Sequence, residues 1–119
     1  TQKSTFTTHE PDTDLLPGLS VGPRVDAPVL PDQPDFHCPH CQAHTPFNLY
    51  FAQAEALAPQ VRAAFDKATR SIRYRNIAHQ DFHCRGCARA VRVAYGAIEF
   101  AMSSYVYCPQ KVFIGPPRE

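Results

Sequence analysis

The chain has 119 residues, 44% of them hydrophobic and 19% charged, with a formal net charge of +1. That length fits a single domain with a small core, and the near balance of charge does not by itself point to a nucleic-acid or an acidic partner. No run approaches the roughly 18 consecutive apolar residues of a membrane span, and Thr1-Gln2-Lys3-Ser4 lacks the apolar core of a secretory signal, so a soluble, cytoplasmic protein is expected.

Residues 1–35 hold six of the twelve prolines and carry six acids against Lys3 and Arg24, a net of −4. Proline at this density opposes regular helix and central strand, which predicts an extended acidic arm. Leu15, Leu16, Leu19, Val21, Val25, Val29 and Leu30 would supply its grip, either on its own domain or on a partner. Residues 36–119 carry a net of +5 and form the expected metal-binding α+β domain.

The boundary between the two holds the heptapeptide Asp35-Phe36-His37-Cys38-Pro39-His40-Cys41. Thr45 to Phe51 follows, short and aromatic-rich, as a strand or extended turn. Ala52 to Ala58 suits a helical turn, and Pro59 to Ile72 repeats apolar residues at 61, 64, 65, 68 and 72, the spacing of one helical face. Pro59 fits the first turn, where its missing N–H costs nothing. Ile72 to Ile77 reads as a strand. The heptapeptide then recurs as Asp81-Phe82-His83-Cys84-Arg85-Gly86-Cys87, identical at five of seven positions. In Ala88 to Tyr95, Val91, Val93 and Tyr95 alternate with Arg89 and Arg92, a second strand. Ile98 to Ile114 is rich in β-branched and aromatic residues, with Glu99 to Met102 open to a strand or a helical turn, and Pro116-Pro117 close the structured region.

Four of the five cysteines fall in the two Cys-x-x-Cys pairs. Such a pair wraps a tight turn around one ion, and backbone N–H groups in the turn can donate to the thiolates. Two facing turns supply four thiolates in a tetrahedron, so Cys38, Cys41, Cys84 and Cys87 are expected to hold one Zn²⁺ per chain, in a structural site. Iron, alone or as an iron–sulfur cluster, is the alternative. Phe36 and Phe82 would cover the ion, His37, His40 and His83 would lie around it, and Cys108 would be a buried, unreactive thiol.

The two heptapeptides and the strands flanking them resemble a zinc ribbon, and more loosely a zinc knuckle of the treble-clef kind. The resemblance implies a small antiparallel sheet around the four-cysteine site, with the inserted helix accommodated in the 42 residues between Cys41 and Cys84. It departs from the commonest pattern where glycine often follows the second cysteine of each turn, here Gln42 and Ala88. Cys38-Pro39-His40-Cys41 is also similar to a rubredoxin turn.

No phosphate-binding loop, nucleophile elbow or deaminase pattern is present, and the chain is not expected to be an enzyme. Residues 62–92 carry eight basic side chains against Asp66 and Asp81, a net of +6. Arg70, Arg73, Arg75, Arg89 and Arg92 are the candidate contacts to a partner or to nucleic acid, with the acidic arm a rival occupant of this basic face. The leading expectation is a non-catalytic, zinc-stabilised protein-binding module, for instance a bacterial inhibitor or immunity-type protein. The alternatives are a nucleic-acid-binding zinc ribbon and a rubredoxin-like electron-transfer protein.

Overall fold

The computed structural model describes residues 6–22, 26–49, 57–73 and 77–116. Eight strands and one helix form among them: β1 (Thr7–His9), β2 (Ser20–Val21), β3 (Pro28–Val29), β4 (Asp35–His37), β5 (His44–Pro46), α1 (Pro59–Thr69), β6 (Ile77–His83), β7 (Ala90–Ala101) and β8 (Ser104–Ile114). The main sheet is antiparallel, in the order β1-β8-β7-β6, while β2–β3 and β4–β5 are separate two-stranded units.

β7 explains how the layers assemble. Its side chains alternate between two faces, and residues 90–96 are buried on both. Val91, Val93 and Tyr95 join Val112 and Ile114 of β8 in one core, together with Phe36, Phe47, Leu49 and Phe82. Ala90 and Ala94 point the other way, where their small size admits α1, and Phe65 packs there beside Phe113. The predicted helical face is the one used: Phe65 is fully buried, and Val61, Ala68 and Ile72 pack partly buried around it. The helix starts at Pro59 as expected but stops at Thr69, with its C-cap at Arg70.

Ile72 lies in the turn that follows the helix, so the expected strand over 72–77 begins only at Ile77; Tyr74 and Arg75 fall outside the described residues. Residues 98–114 form two strands. Glu99 to Met102 is the end of the β7–β8 hairpin and not a helical turn. The expected strand over 45–51 is three residues long, β5, and the helical turn expected over 52–58 lies almost wholly outside the described residues.

The N-terminal segment grips its own chain. β1 pairs with the end of β8, Leu30 N–H donates to Tyr107 O at 2.7 Å, and His37 N–H donates to Leu15 O at 2.8 Å. Leu15, Leu16 and Leu30 are buried in the same core as Phe36 and Val93. The apolar residues of a proline-rich segment thus do the packing that its backbone ladder cannot.

Candidate metal centre

The repeated heptapeptide folds twice into one device. In the first copy Asp35, Phe36 and His37 pair with Pro46, Thr45 and His44; in the second Asp81, Phe82 and His83 pair with Arg92, Val91 and Ala90. Each hairpin closes with the same two bonds: Cys38 and Cys84 N–H donate to Ala43 and Arg89 O, and Gln42 and Ala88 N–H donate to Cys38 and Cys84 O. Gln42 and Ala88 have φ of 67° and 61°, the left-handed region that favours glycine. These are the positions where the zinc-ribbon pattern often carries glycine, so the departure lies in side chain and not in backbone.

The two turns face each other and bring Cys38, Cys41, Cys84 and Cys87 together, with all four Sγ atoms within 4.8 Å of one another. Cys41 Sγ stands 3.4 Å from Cys84 Sγ, and Cys38 Sγ 3.7 Å from Cys87 Sγ. All four thiols are free, and these separations are far beyond a disulfide's ~2.05 Å. Four ligands at ~2.3 Å from a central ion define a tetrahedron with an edge of ~3.8 Å, close to what is observed. The site can therefore hold a metal ion, in an arrangement consistent with a zinc-ribbon-like centre.

The surroundings bear on the charge such a site collects. His40 N–H donates to Cys38 Sγ at 3.4 Å. Burial works against ionisation of Cys84, but backbone N–H groups of Cys87 and Gly86, with the neighbouring thiols, outweigh it and bring the group from 9.0 down to about 7. At Cys38 burial prevails and pushes the thiol up to about 12. A cation at the centre favours the thiolate of every ligand and overrides this asymmetry. Beneath the site Phe36 and Phe82 meet edge to face at 5.8 Å, and Phe82 stacks on Phe47 at 4.9 Å. Burial also lowers the basicity of His40 and His83, and no histidine joins the ligand group among the described residues.

Sequence reasoning missed two residues that dock one turn on the other. Thr45 is buried, and its Oγ1 accepts the Arg85 N–H at 2.8 Å, tying β5 to the second turn. Gly86 fills the position that His40 occupies in the first copy. There a Cβ would lie 2.6 Å from Cys41 Sγ and 2.7 Å from Ala43 Cβ, too close for any side chain. The signal was available in the mismatch within the repeat: the first copy has room for the His40 side chain, while at Gly86 the space a Cβ would take is filled by Cys41 and Ala43 of the other turn. Gly86→Ala is expected to force the turns apart and weaken metal affinity ~10–100-fold, the usual effect of disturbing a ligand's support; competition with a chromophoric chelator measures it.

The candidate arginines do not form one face. Arg92 is fully buried among the residues beneath α1. Its Nε and Nη2 donate to the two carboxylate oxygens of Asp81 at 2.6 and 2.8 Å, and Nη1 donates to Asp66 at 2.7 Å. Its guanidinium also lies 5.5 Å from the Phe65 ring centre. The expectation that Arg92 lines an exposed basic surface is corrected: alternation puts it on the side of Ala90 and Ala94, which is covered by the helix. Arg89 precedes β7, half-buried, and donates to Gly115 O at 3.4 Å. Arg70 and Arg73 are exposed, at the helix end and in the turn after it and not on a strand. Arg75 lies outside the described residues. Cys108 is buried, as expected, and burial raises its thiol's pKa.

No helix among the described residues is long and apolar enough to cross a membrane. Set against models of protein families, curated proteins and solved structures, the chain finds no match in any of the three.

Proposed function

We propose that the chain is a non-catalytic protein-binding module of α+β, zinc-ribbon-like architecture, stabilised by one Zn²⁺ ion. The observation that carries this reading is the closed donor set. Four cysteine sulfurs within 4.8 Å of one another complete a tetrahedron and leave no position for water or substrate. An iron–sulfur cluster is a poorer fit, because its cysteines ligate different iron atoms and stand farther apart than ligands sharing one ion. Thiolates held in this way belong to a reducing compartment, which favours the cytoplasm. The binding role is supported by the end of the β7–β8 hairpin, where Met102 is 93% and Tyr105 51% exposed.

Metal analysis and a visible spectrum, on protein purified under nitrogen without added metal, test the centre. One zinc per chain in a colourless solution is the expected result. Iron with visible absorbance would replace this reading with rubredoxin-like electron transfer, since a single iron accepts the same four thiolates.

A second reading, nucleic-acid binding, is favoured by the exposed Arg62, Lys67, Arg70 and Arg73 along α1 and the turn after it. It requires retention of DNA or RNA at low salt that falls steeply as salt is raised. Absence of retention removes it.

A further inference from the structure

The two metal turns differ in what stands beside them. In the first hairpin His37 of β4 lies directly opposite His44 of β5, whereas in the second His83 lies opposite Ala90. The two facing imidazoles stack in parallel, 4.4 Å between ring centres and 7° between planes. Alternation puts them on the side of the hairpin away from buried Phe36 and Thr45. His37 is half-buried there, and His44 is exposed.

Hydrogen bonds decide which nitrogen of each ring is left over. His37 Nδ1 lies 3.1 Å from the Asp14 carbonyl oxygen, which can only accept, so Nδ1 carries the proton. His44 Nδ1 lies 2.7 Å from Asp35 Oδ2, a carboxylate that likewise accepts. In both neutral rings the lone pair therefore sits on Nε2, and neither Nε2 has a hydrogen-bond partner among the described residues. Metal-ligating histidines are held in this way, with the far N–H given to a carbonyl or a carboxylate. A cross-strand stack alone does not require it. Asp35 supplies an independent sign. Its Oδ1 is buried with no hydrogen-bond partner among the described residues, whereas both oxygens of the corresponding Asp81 are held by Arg92. A cation on the far side of the His44 ring would offset the charge that Asp35 leaves unanswered.

We propose that His37 and His44 form a second metal site, separate from the four cysteines, in which their Nε2 atoms share one Zn²⁺ ion. Imidazole suits Zn²⁺ and its neighbours in the transition series. Two nitrogens at ~2.1 Å from one tetrahedral ion stand ~3.4 Å apart, a spacing within reach of rings whose centres are 4.4 Å apart. Two protein ligands leave two positions for water, so this ion exchanges readily, unlike one enclosed by four thiolates. The assignment needs neither the protein-binding role nor the identity of the ion at the cysteines.

Calorimetric titration of Zn²⁺ into the full chain, with its cysteine centre already loaded, tests the assignment. The wild type is expected to take up one further equivalent. His44→Phe keeps an aromatic ring against His37 but removes the nitrogen, and is expected to weaken that uptake at least ~10-fold. Asp35→Asn keeps the shape, removes the charge behind His44, and is expected to weaken it by ~10-fold. Metal analysis should show the cysteine centre still loaded in both variants. Nitrogen-15 spectra give a second readout: Zn²⁺ should move the Nε2 signals of His37 and His44 and leave that of His83, which faces Ala90, in place. A wild type that takes up no second ion at ~1 mM Zn²⁺ overturns the inference. So does a second equivalent that His44→Phe binds as tightly as the wild type.

Discussion

Cys84→Ser is expected to cost the chain its metal ion and, with it, the register of one whole face of the sheet. A structural Zn²⁺ site contributes apparent binding free energies of ~10–16 kcal/mol in small peptides, as large as the ~5–15 kcal/mol that separates a typical domain from its unfolded state. Cys38 and Cys84 are themselves part of the core that holds Phe36, Phe82 and Val93, so losing the ion loosens apolar packing and not only two turns. The core beneath α1, built on Phe65, Ala90, Ala94 and Phe113, contains no ligand. The expected outcome is therefore graded. The β4–β5 hairpin and the segment around Leu15 and Leu16 lose protection first, and Tm falls by at least ~10 °C. Hydrogen exchange and thermal melts, with and without chelator, measure this; chelated wild type should match Cys84→Ser. A melt unmoved by chelator would show that the cysteines close a core that stands without metal.

The second large effect is expected at Arg92. Its guanidinium is entirely buried and satisfied by two carboxylates from different elements, Asp81 on β6 and Asp66 on α1. Arg92→Met keeps most of the volume but leaves the partly buried Asp81 without its bidentate partner, which is expected to cost ~3–5 kcal/mol. Arg92→Met with Asp81→Val removes the bidentate pair, leaves only the half-exposed Asp66 unpaired, and should recover at least ~1 kcal/mol, since a buried pair exchanged for apolar packing is often neutral. Urea unfolding of the three proteins gives the comparison; a double variant less stable than Arg92→Met would show that Asp81 is held by something besides Arg92. Acid should weaken the same cluster. The hydrogen bond from Arg92 holds the Asp66 carboxyl below its ordinary value. Its contribution is complete above the ordinary carboxylate pKa and is lost as pH falls through the lowered one. Arg92→Met is expected to flatten that acid limb.

The four-cysteine cluster was legible because cysteine spacing encodes it locally: each turn needs only four residues, and the sequence repeats it. Most of the helix was legible for the same reason, through the period of Val61, Phe65 and Ala68. What escaped depends on partners distant in sequence. Arg92 alternates with valines and so reads as a solvent-facing residue, and only the Asp81–Arg92 register, with Asp66 folded over from α1, makes burial tolerable. Ala90 and Ala94 mark that covered face by their size, a weaker signal than the charge between them. The role of Gly86 also depends on a distant partner, since the atoms that leave no room for a Cβ there belong to Cys41 and Ala43 of the first turn. The proline-rich segment was legible in its apolar residues but not in its destination, since Leu15 and Leu30 would grip any apolar surface equally well.

The two halves of the centre are not equivalent in how they come together. Cys84 and Cys87 cap a hairpin whose strands run on into an antiparallel meander of neighbouring segments, so their turn can assemble from contacts close in sequence. Cys38 and Cys41 cap a hairpin with only three-residue strands, and they reach the other pair only after a long stretch of chain has closed. An ion bound there would be captured in sequence, first by the Cys84–Cys87 pair and last by the Cys38–Cys41 pair. Release would run the same path backwards, with the short β4–β5 hairpin lifting away first while Cys84 and Cys87 would still hold the ion. Exchange with a competing chelator should therefore be limited by the opening of β4–β5, and not by the sulfur–metal bonds themselves.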